Sequence, residues 1–93
     1  MTIRDLYKII IKRTNERNNK SYVVALVDNK DRMIQKVGEE AIEVVIAAKN
    51  DSHELFINEM ADLWFHLLVL LAEKGVTIDD IERELTIRHK KMT

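Results

Sequence analysis

Apolar positions along this chain recur mostly at helical spacing, and Tyr22 to Val27 is the one ambiguous run, since Val23-Val24 would suit a strand. Ile3, Leu6, Tyr7 and Ile10 share one face of a first helix that Thr2 can cap and that should run to about Arg17. Asn18-Asn19-Lys20-Ser21 breaks it. Tyr22 to Val27 is a short helix or an ordered loop, since a single strand has no partner here. Asp28-Asn29-Lys30-Asp31 is a turn that can also cap a third helix, from about Lys30 to Lys49. Met33, Val37, Ala41, Val44 and Ala48 form the main apolar stripe of that helix, and Ile42 and Ile46 a separate patch. Asn50-Asp51-Ser52 ends it, and Asp51 with Glu54 resembles a capping box for the next. The fourth helix should run to about Lys74, with Gly75 suited to the residue just past a helix end. Thr77 with Asp80 opens a last helix to about Lys90, with Ile78, Ile81, Leu85 and Arg88 at helical spacing. The pattern predicts one all-α domain over residues 1–93, of four to five helices, without linker, repeat or low-complexity segment.

Two segments, one on each long helix, carry the candidate chemistry: Lys36-Val37-Gly38-Glu39-Glu40-Ala41-Ile42-Glu43 and Glu59-Met60-Ala61-Asp62-Leu63-Trp64-Phe65-His66. Glu40 and Glu43 lie about 60° apart on one helix face, as do Glu59 and Asp62. The fourth helix is apolar nearly all round. Leu55, Leu63, Val69 and Leu70 share the arc of its acids, and Met60, Trp64, Phe65, Leu68 and Leu71 cover most of the remainder, so it should be buried on most sides. Carboxylates in such a setting are rare unless paired or bound to a cation. Two of them about 5 Å apart repel by about 3 kcal/mol at an effective dielectric of about 20.

Two readings compete. Each acid can pair with a nearby Lys or Arg, the ordinary outcome for a single such pair. Two pairs, one inside an apolar helix, favour a hard divalent cation with oxygen ligands, held by Glu40, Glu43, Glu59 and Asp62. Mg²⁺ so held suits chemistry on polyphosphates. Lys36, one turn before Glu40, can offset phosphate charge. Lys36, Glu40, Glu43 and Ala47 share one face with Glu39 at its edge, between two apolar surfaces, as in the wall of a cleft. Gly38 lies inside this helix at a cost near 1 kcal/mol against Ala; it either admits a close backbone or ligand or is simply tolerated.

Composition narrows the class. The chain is 46% hydrophobic over 93 residues, more apolar surface than one short chain can cover, so a homodimer or higher homo-oligomer is expected. Fifteen basic and 16 acidic residues give a net charge of −1, without the basic excess of a nucleic-acid or membrane-surface binder. No cysteine is present, which removes disulfides and thiolate chemistry and is compatible with the cytoplasm. Charges at Arg4 and Asp5 come too early for a secretory signal, and the uninterrupted apolar run Leu67–Ala72 is too short to span a bilayer. No glycine-rich phosphate loop precedes a helix, and no nucleophilic triad is plausible. A ferritin-type di-iron site needs Glu-x-x-His on each of two helices, whereas His66 follows Asp62 by four residues and Glu59 by seven. His66 therefore reads as a buried hydrogen-bonding group, and Trp64 and Phe65 as core or interface. The basic tail Arg88-His89-Lys90-Lys91 suits a helix C-terminus and can also meet a phosphate.

Glu40-x-x-Glu43, followed after 15 residues by Glu59-x-x-Asp62, resembles the acidic signature of the all-α nucleotide pyrophosphohydrolases of the MazG type. The surrounding sequence is similar to one branch, the phosphoribosyl-ATP pyrophosphohydrolases. The similar stretches are Ser21-Tyr22, Lys36-Val37-Gly38-Glu39-Glu40-Ala41, Ala47-Ala48-Lys49-Asn50, Ala61-Asp62-Leu63, His66 to Leu71 and Arg88-His89. Val23 stands where that branch often has Thr, and Trp64-Phe65 where it often has Leu-Tyr. The resemblance implies a MazG-like helical bundle whose dimer completes the active site. It implies Mg²⁺-dependent hydrolysis of the α–β phosphoanhydride of phosphoribosyl-ATP to phosphoribosyl-AMP and pyrophosphate, the second step of histidine biosynthesis, with the metal on Glu40, Glu43, Glu59 and Asp62. Glu39 and Glu40 are then the candidate catalytic acids, Glu39 to position or deprotonate the attacking water. Arg13, Lys36, Lys49, Arg88 and His89 become candidate phosphate contacts. Lys36 is the best placed; Lys49, on the far side of its helix, would serve a neighbouring subunit; Arg88 is the choice for the ribose phosphate. Ser21 and Tyr22 line the substrate site on resemblance alone. Two other functions stay open: a housekeeping nucleoside triphosphate pyrophosphohydrolase of the same fold, and a non-catalytic helical interaction protein whose acids are structural.

Overall fold

Each helix begins where a side-chain oxygen can take one of the first unsatisfied backbone N–H groups. The computed structural model describes residues 1–16 and 21–92, and among them it has five helices and no strand: α1 Ile3–Glu16, α2 Tyr22–Val27, α3 Lys30–Ala48, α4 His53–Lys74 and α5 Ile78–Met92. Thr2 and Asp5 exchange bonds at the start of α1, as do Thr77 and Asp80 at the start of α5. Ser21 and Asn29 cap α2 and α3. Arg17 and the expected break at Asn18, Asn19 and Lys20 lie outside the described residues.

The start of α4 differs from expectation. Ser52, not Asp51, is the cap: its Oγ accepts from Leu55 N at 3.1 Å. Asn50 Oδ1 accepts from Ser52 N at 3.2 Å, and this local turn presents the serine one residue after the aspartate. Gly75 closes α4 at φ 67°, where Val76 N bonds to Leu71 O and Gly75 N to Ala72 O, the pair of bonds a left-handed residue permits.

The ambiguous stretch at Tyr22–Val27 is helical because its apolar residues find partners at helical spacing. Val23, Leu26 and Val27 are buried together with Ile10 of α1, Met33 of α3 and Leu68 and Val69 of α4. Packing overrides the β-branched preference of Val23-Val24. The short turn at 49–52 makes α3 and α4 antiparallel neighbours, and theirs is the most extensive helix pairing. α1 and α2 cover the end of this hairpin that holds the start of α3 and the second half of α4. Tyr7 Oη donates to Val76 O at 2.7 Å, and Arg4 bonds to Asp79 and Glu82, fastening α5 to α1.

The expectation that α4 is buried on most sides fails within one chain. His66, Leu68 and Val69 are buried, but Leu55, Ile57 and Trp64 are exposed. The cause is the distribution of partners: α1 and α2 reach only one end of the hairpin. On α3 the buried line passes through Met33, Glu40 and Ala47, with Val37, Ala41 and Val44 half-buried beside it and Ala48 exposed. Ile42, Val45 and Ile46 face outward, 56–62% exposed. α4 is long and apolar enough to cross a membrane by length and composition. Its packing against three other helices and the acids Glu59 and Asp62 near its middle identify it as the core helix of the bundle.

Candidate active site

Antiparallel packing sets the middle of α3 against the first half of α4, so acids three residues apart on each helix meet across the hairpin. Carboxylate oxygens of Glu40, Glu59 and Asp62 lie within 4.8 Å of one another. Glu40 is buried, Glu59 half-buried and Asp62 exposed. Glu43, one turn beyond Glu40, is exposed and stands outside this group of three. Its charge still reaches Glu59. Burial, then the charges of Asp62, Glu43 and Glu40, hold the Glu59 carboxyl above its ordinary range, against a small opposing bond from Asn58.

The cation nearest the group is Lys36. Its Nζ lies 3.2 Å from Glu40 Oε1 and 3.6 Å from Glu39 Oε2. The bond to Glu40 is the main reason the Lys36 ammonium is held above its usual pKa, with burial opposing and the charges of Glu40, Tyr22 and Glu39 assisting. Pairing with a basic residue thus describes Glu40 and Glu39. Among the described residues no Lys or Arg forms an ion pair with Glu43, Glu59 or Asp62. Glu39 is half-buried and also accepts from Gln35 Nε2 at 2.9 Å. Gly38 is exposed, and a Cβ there would meet nothing within 4 Å, so no close approach inside this chain requires glycine.

His66 is a buried hydrogen-bonding group, as its place in the sequence suggested. Its Nδ1 lies 2.7 Å from the Asp62 carbonyl oxygen and its Nε2 2.9 Å from Tyr22 Oη. A carbonyl only accepts, so Nδ1 carries a proton; in the neutral ring Tyr22 then donates to Nε2. The Tyr22 ring stacks on Phe65 at 6.0 Å, and His66 meets both rings edge-on. Nothing in the sequence joins positions 22 and 66.

Other expected site residues divide into two sets. Arg13, Ser21 and Tyr22 line one cavity of about 330 Å³ between α1 and α2, floored by Ile10, Val23 and Phe65. Among the described residues Arg13 has no ion pair or hydrogen bond from its side chain. Lys49 caps the far end of α3 and is exposed. Arg88 is exposed on α5 and bonds to Glu84 of its own helix at 3.3 Å, and His89 is exposed beside it. Among the described residues neither Lys49, Arg88 nor His89 pairs with the acidic group.

An all-oxygen donor set with uncompensated negative charge fits a hard divalent cation. The family described as phosphoribosyl-ATP pyrophosphohydrolase matches residues 3–89. A phosphoribosyl-ATP pyrophosphatase of Methanosarcina barkeri is 42% identical over 90 residues, 94% of this chain and 86% of the relative. One of Pelotomaculum thermopropionicum is 46% identical over 90 residues, 96% and 92% of the two chains. One of Saccharolobus islandicus is 49% identical over 86 residues, 91% and 92% of the two chains. With similarity of this degree along nearly its whole length, the chain belongs to the phosphoribosyl-ATP pyrophosphohydrolase family.

Proposed function

We propose that this protein hydrolyses the α–β phosphoanhydride of phosphoribosyl-ATP, releasing pyrophosphate and phosphoribosyl-AMP, the second step of histidine biosynthesis. The observation that carries the reading is the convergence of Glu40, Glu59 and Asp62 from two antiparallel helices, in a chain of this family. Glu40, Glu59 and Asp62 would hold a divalent cation, Mg²⁺ in this reading, and Glu43 would add its charge and could offer a further oxygen. Bound there, Mg²⁺ would draw in phosphate oxygens, offset their charge and lower the pKa of a coordinated water.

The chain's own groups do the rest. Lys36 keeps N–H donors beyond its bond to Glu40 and presents them to the leaving pyrophosphate. Glu39 has one oxygen bonded to Gln35 and the other toward Lys36, which fixes its plane; it orients the attacking water and takes its proton as the anhydride bridge breaks. Glu40 supports the same water from the buried side. The base and ribosyl phosphate extend toward the cavity of Arg13, Ser21 and Tyr22. Lys49, Arg88 and His89 serve across a subunit boundary.

That boundary rests on the bare end of the α3–α4 hairpin. Ile42, Val45 and Ile46 form an exposed apolar face on α3, continued on α4 by Leu55 and Ile57. A second copy covering this face gives a homodimer or larger homo-oligomer and buries the acids more deeply. The protein works in the cytoplasm, with a small nucleotide as its partner.

Product analysis tests the reaction. Phosphoribosyl-ATP should yield phosphoribosyl-AMP and pyrophosphate in equal amounts, and Asp62→Asn and Glu43→Gln should each reduce the rate by orders of magnitude. Release of single phosphate, or full activity in both variants, would overturn the assignment.

A further inference from the structure

α5 leaves almost all of its surface bare. Its start is fastened: Arg4 bonds to Asp79 and Glu82, Tyr7 to Val76 O, and Ile78 is half-buried. Beyond that point every residue from Ile81 to Lys91 is exposed, and among the described residues no other helix pairs extensively with α5. About three turns of helix thus stand without tertiary cover. A free helical segment of that length is marginal in water, because most helical stability comes from packing an apolar face.

α5 has such a face. Ile78, Ile81 and Leu85 recur on one side at helical spacing, and Leu85 is 57% exposed. The stripe borders a groove of about 430 Å³ that is lined also by Trp64, Leu68 and Leu71 of α4, with Trp64 44% exposed. No residue of α3 lines this groove, so it is a second bare apolar face, separate from Ile42, Val45 and Ile46 at the hairpin end.

The charge along α5 indicates what covers it. Asp79, Asp80, Glu82 and Glu84 precede Leu85 with Arg83 as their only base, whereas Arg88, His89, Lys90 and Lys91 follow it without an acid. Two such helices side by side in one direction set like charges together. Antiparallel, the acidic half of each lies along the basic half of the other, and the helix dipoles oppose as well. A two-fold axis near Leu85 achieves this with one patch, which supplies both sides of the contact.

We propose that α5 is a dimerisation arm: the α5 helices of two copies of this chain pair antiparallel about a two-fold axis near Leu85, each laid along the apolar groove beside Trp64 of the other. The assignment needs neither the cation nor the reaction proposed above. It adds a second contact to the one at the hairpin end, and failure of either leaves the other standing.

The chain has no cysteine, so single introduced cysteines report the pairing cleanly. Leu85→Cys, near the axis, should cross-link two copies on mild oxidation, and should still do so in an Ile46→Glu background. Ile78→Cys should not, because antiparallel pairing sets the two copies of that position about 20 Å apart, far beyond the roughly 7 Å between Cα atoms that a disulfide spans. Leu85→Glu changes a side chain that a lone chain leaves exposed, so the fold should survive. In the Ile46→Glu background it should raise the dissociation constant by at least about a hundredfold in sedimentation. Amide exchange over 81–91 should quicken by at least about tenfold.

Other outcomes exclude the arm. Cross-linking at both positions means parallel pairing. Cross-linking at neither, or mass and exchange unchanged by Leu85→Glu, means that a second copy does not cover α5. Each of these results overturns the proposal. If Leu85→Glu does not fold, the two cysteine variants decide the matter alone.

Discussion

Lys36 and Glu40 stand one turn apart on α3 with 3.2 Å between Nζ and Oε1, and this pair draws Lys36 to the α3 side of the acidic group. Glu59 and Asp62 on α4 are left facing Glu40 without a basic residue of their own. The charge imbalance is thus a consequence of which helix carries the lysine. A cation from solution can relieve it, and a triphosphate can then be drawn to the same place.

Glu59 makes this measurable without substrate. Its carboxyl is held above the ordinary value of 4.5, so the folded protein binds that proton more tightly than the unfolded chain. The resulting stabilisation is full below that value and is lost as pH rises through the raised one. At pH 7 in EDTA, Glu59→Gln should therefore melt above the wild type, and the difference should shrink toward pH 4. With Mg²⁺ the order should reverse: a cation at a hundred times its Kd stabilises the native state by about 2.7 kcal/mol, and the variant should gain little of this. Scanning calorimetry that finds the variant less stable in EDTA, or equally stabilised by Mg²⁺, would remove the cation from the account.

The subunit boundary has its own test. Ile46 is 56% exposed in the single chain. Ile46→Glu should be harmless to a monomer, but in the proposed assembly it buries an unpaired charge and should dissociate it. Sedimentation equilibrium should give a multiple of 10.9 kDa for the wild type and a smaller mass for the variant. A wild-type mass near 10.9 kDa would contradict the assembly.

The Ser52 cap at the start of α4 predicts an asymmetry between neighbours. Ser52→Ala removes the bond to Leu55 N and should cost about 1 kcal/mol, whereas Asp51→Ala should stay within about 0.5 kcal/mol. Denaturant melts of the two variants check it, and the reverse ranking would restore Asp51 as the cap.

These outcomes mark what the sequence could and could not carry. Caps at Thr2 and Thr77 were legible because both partners lie within three residues. Ser52 was not, because Asp51 and Ser52 are both good caps and the choice rests on a turn made by Asn50. The acids were legible as pairs, since spacing alone puts Glu59 and Asp62 on one face. Which of Glu40 and Glu43 is buried was not, because about 60° of rotation separates them and the position of α4 decides between them. Periodicity marked α4 as apolar, yet only the placement of α1 and α2 shows which half of it one chain can cover. The bond between Tyr22 and His66 is purely tertiary and has no local trace.

Substrate choice depends on the basic residues away from the acids. Arg13 lies in the cavity with Ser21 and Tyr22, while Arg88 is bonded to Glu84. Arg13→Ala should lower kcat/KM for phosphoribosyl-ATP by about ten- to a hundredfold, in keeping with a charged hydrogen bond of roughly 1.5–3 kcal/mol, and should barely alter any turnover of ATP. Arg88→Ala should show the same selectivity if its guanidinium reaches the ribose phosphate of a neighbouring subunit. Equal losses on both substrates would place either residue at the triphosphate or in the fold.

The most direct measurement is pyrophosphate release under Mg²⁺, with phosphoribosyl-ATP beside ATP and the four deoxynucleoside triphosphates at equal concentration. The kcat/KM for phosphoribosyl-ATP should be at least about a hundredfold above that for every other substrate, the discrimination that one well-held ribosyl phosphate can supply. Comparable rates on ordinary triphosphates would make the protein a general nucleotide pyrophosphohydrolase, and no release from any of them would leave the acids of α3 and α4 with a structural role alone.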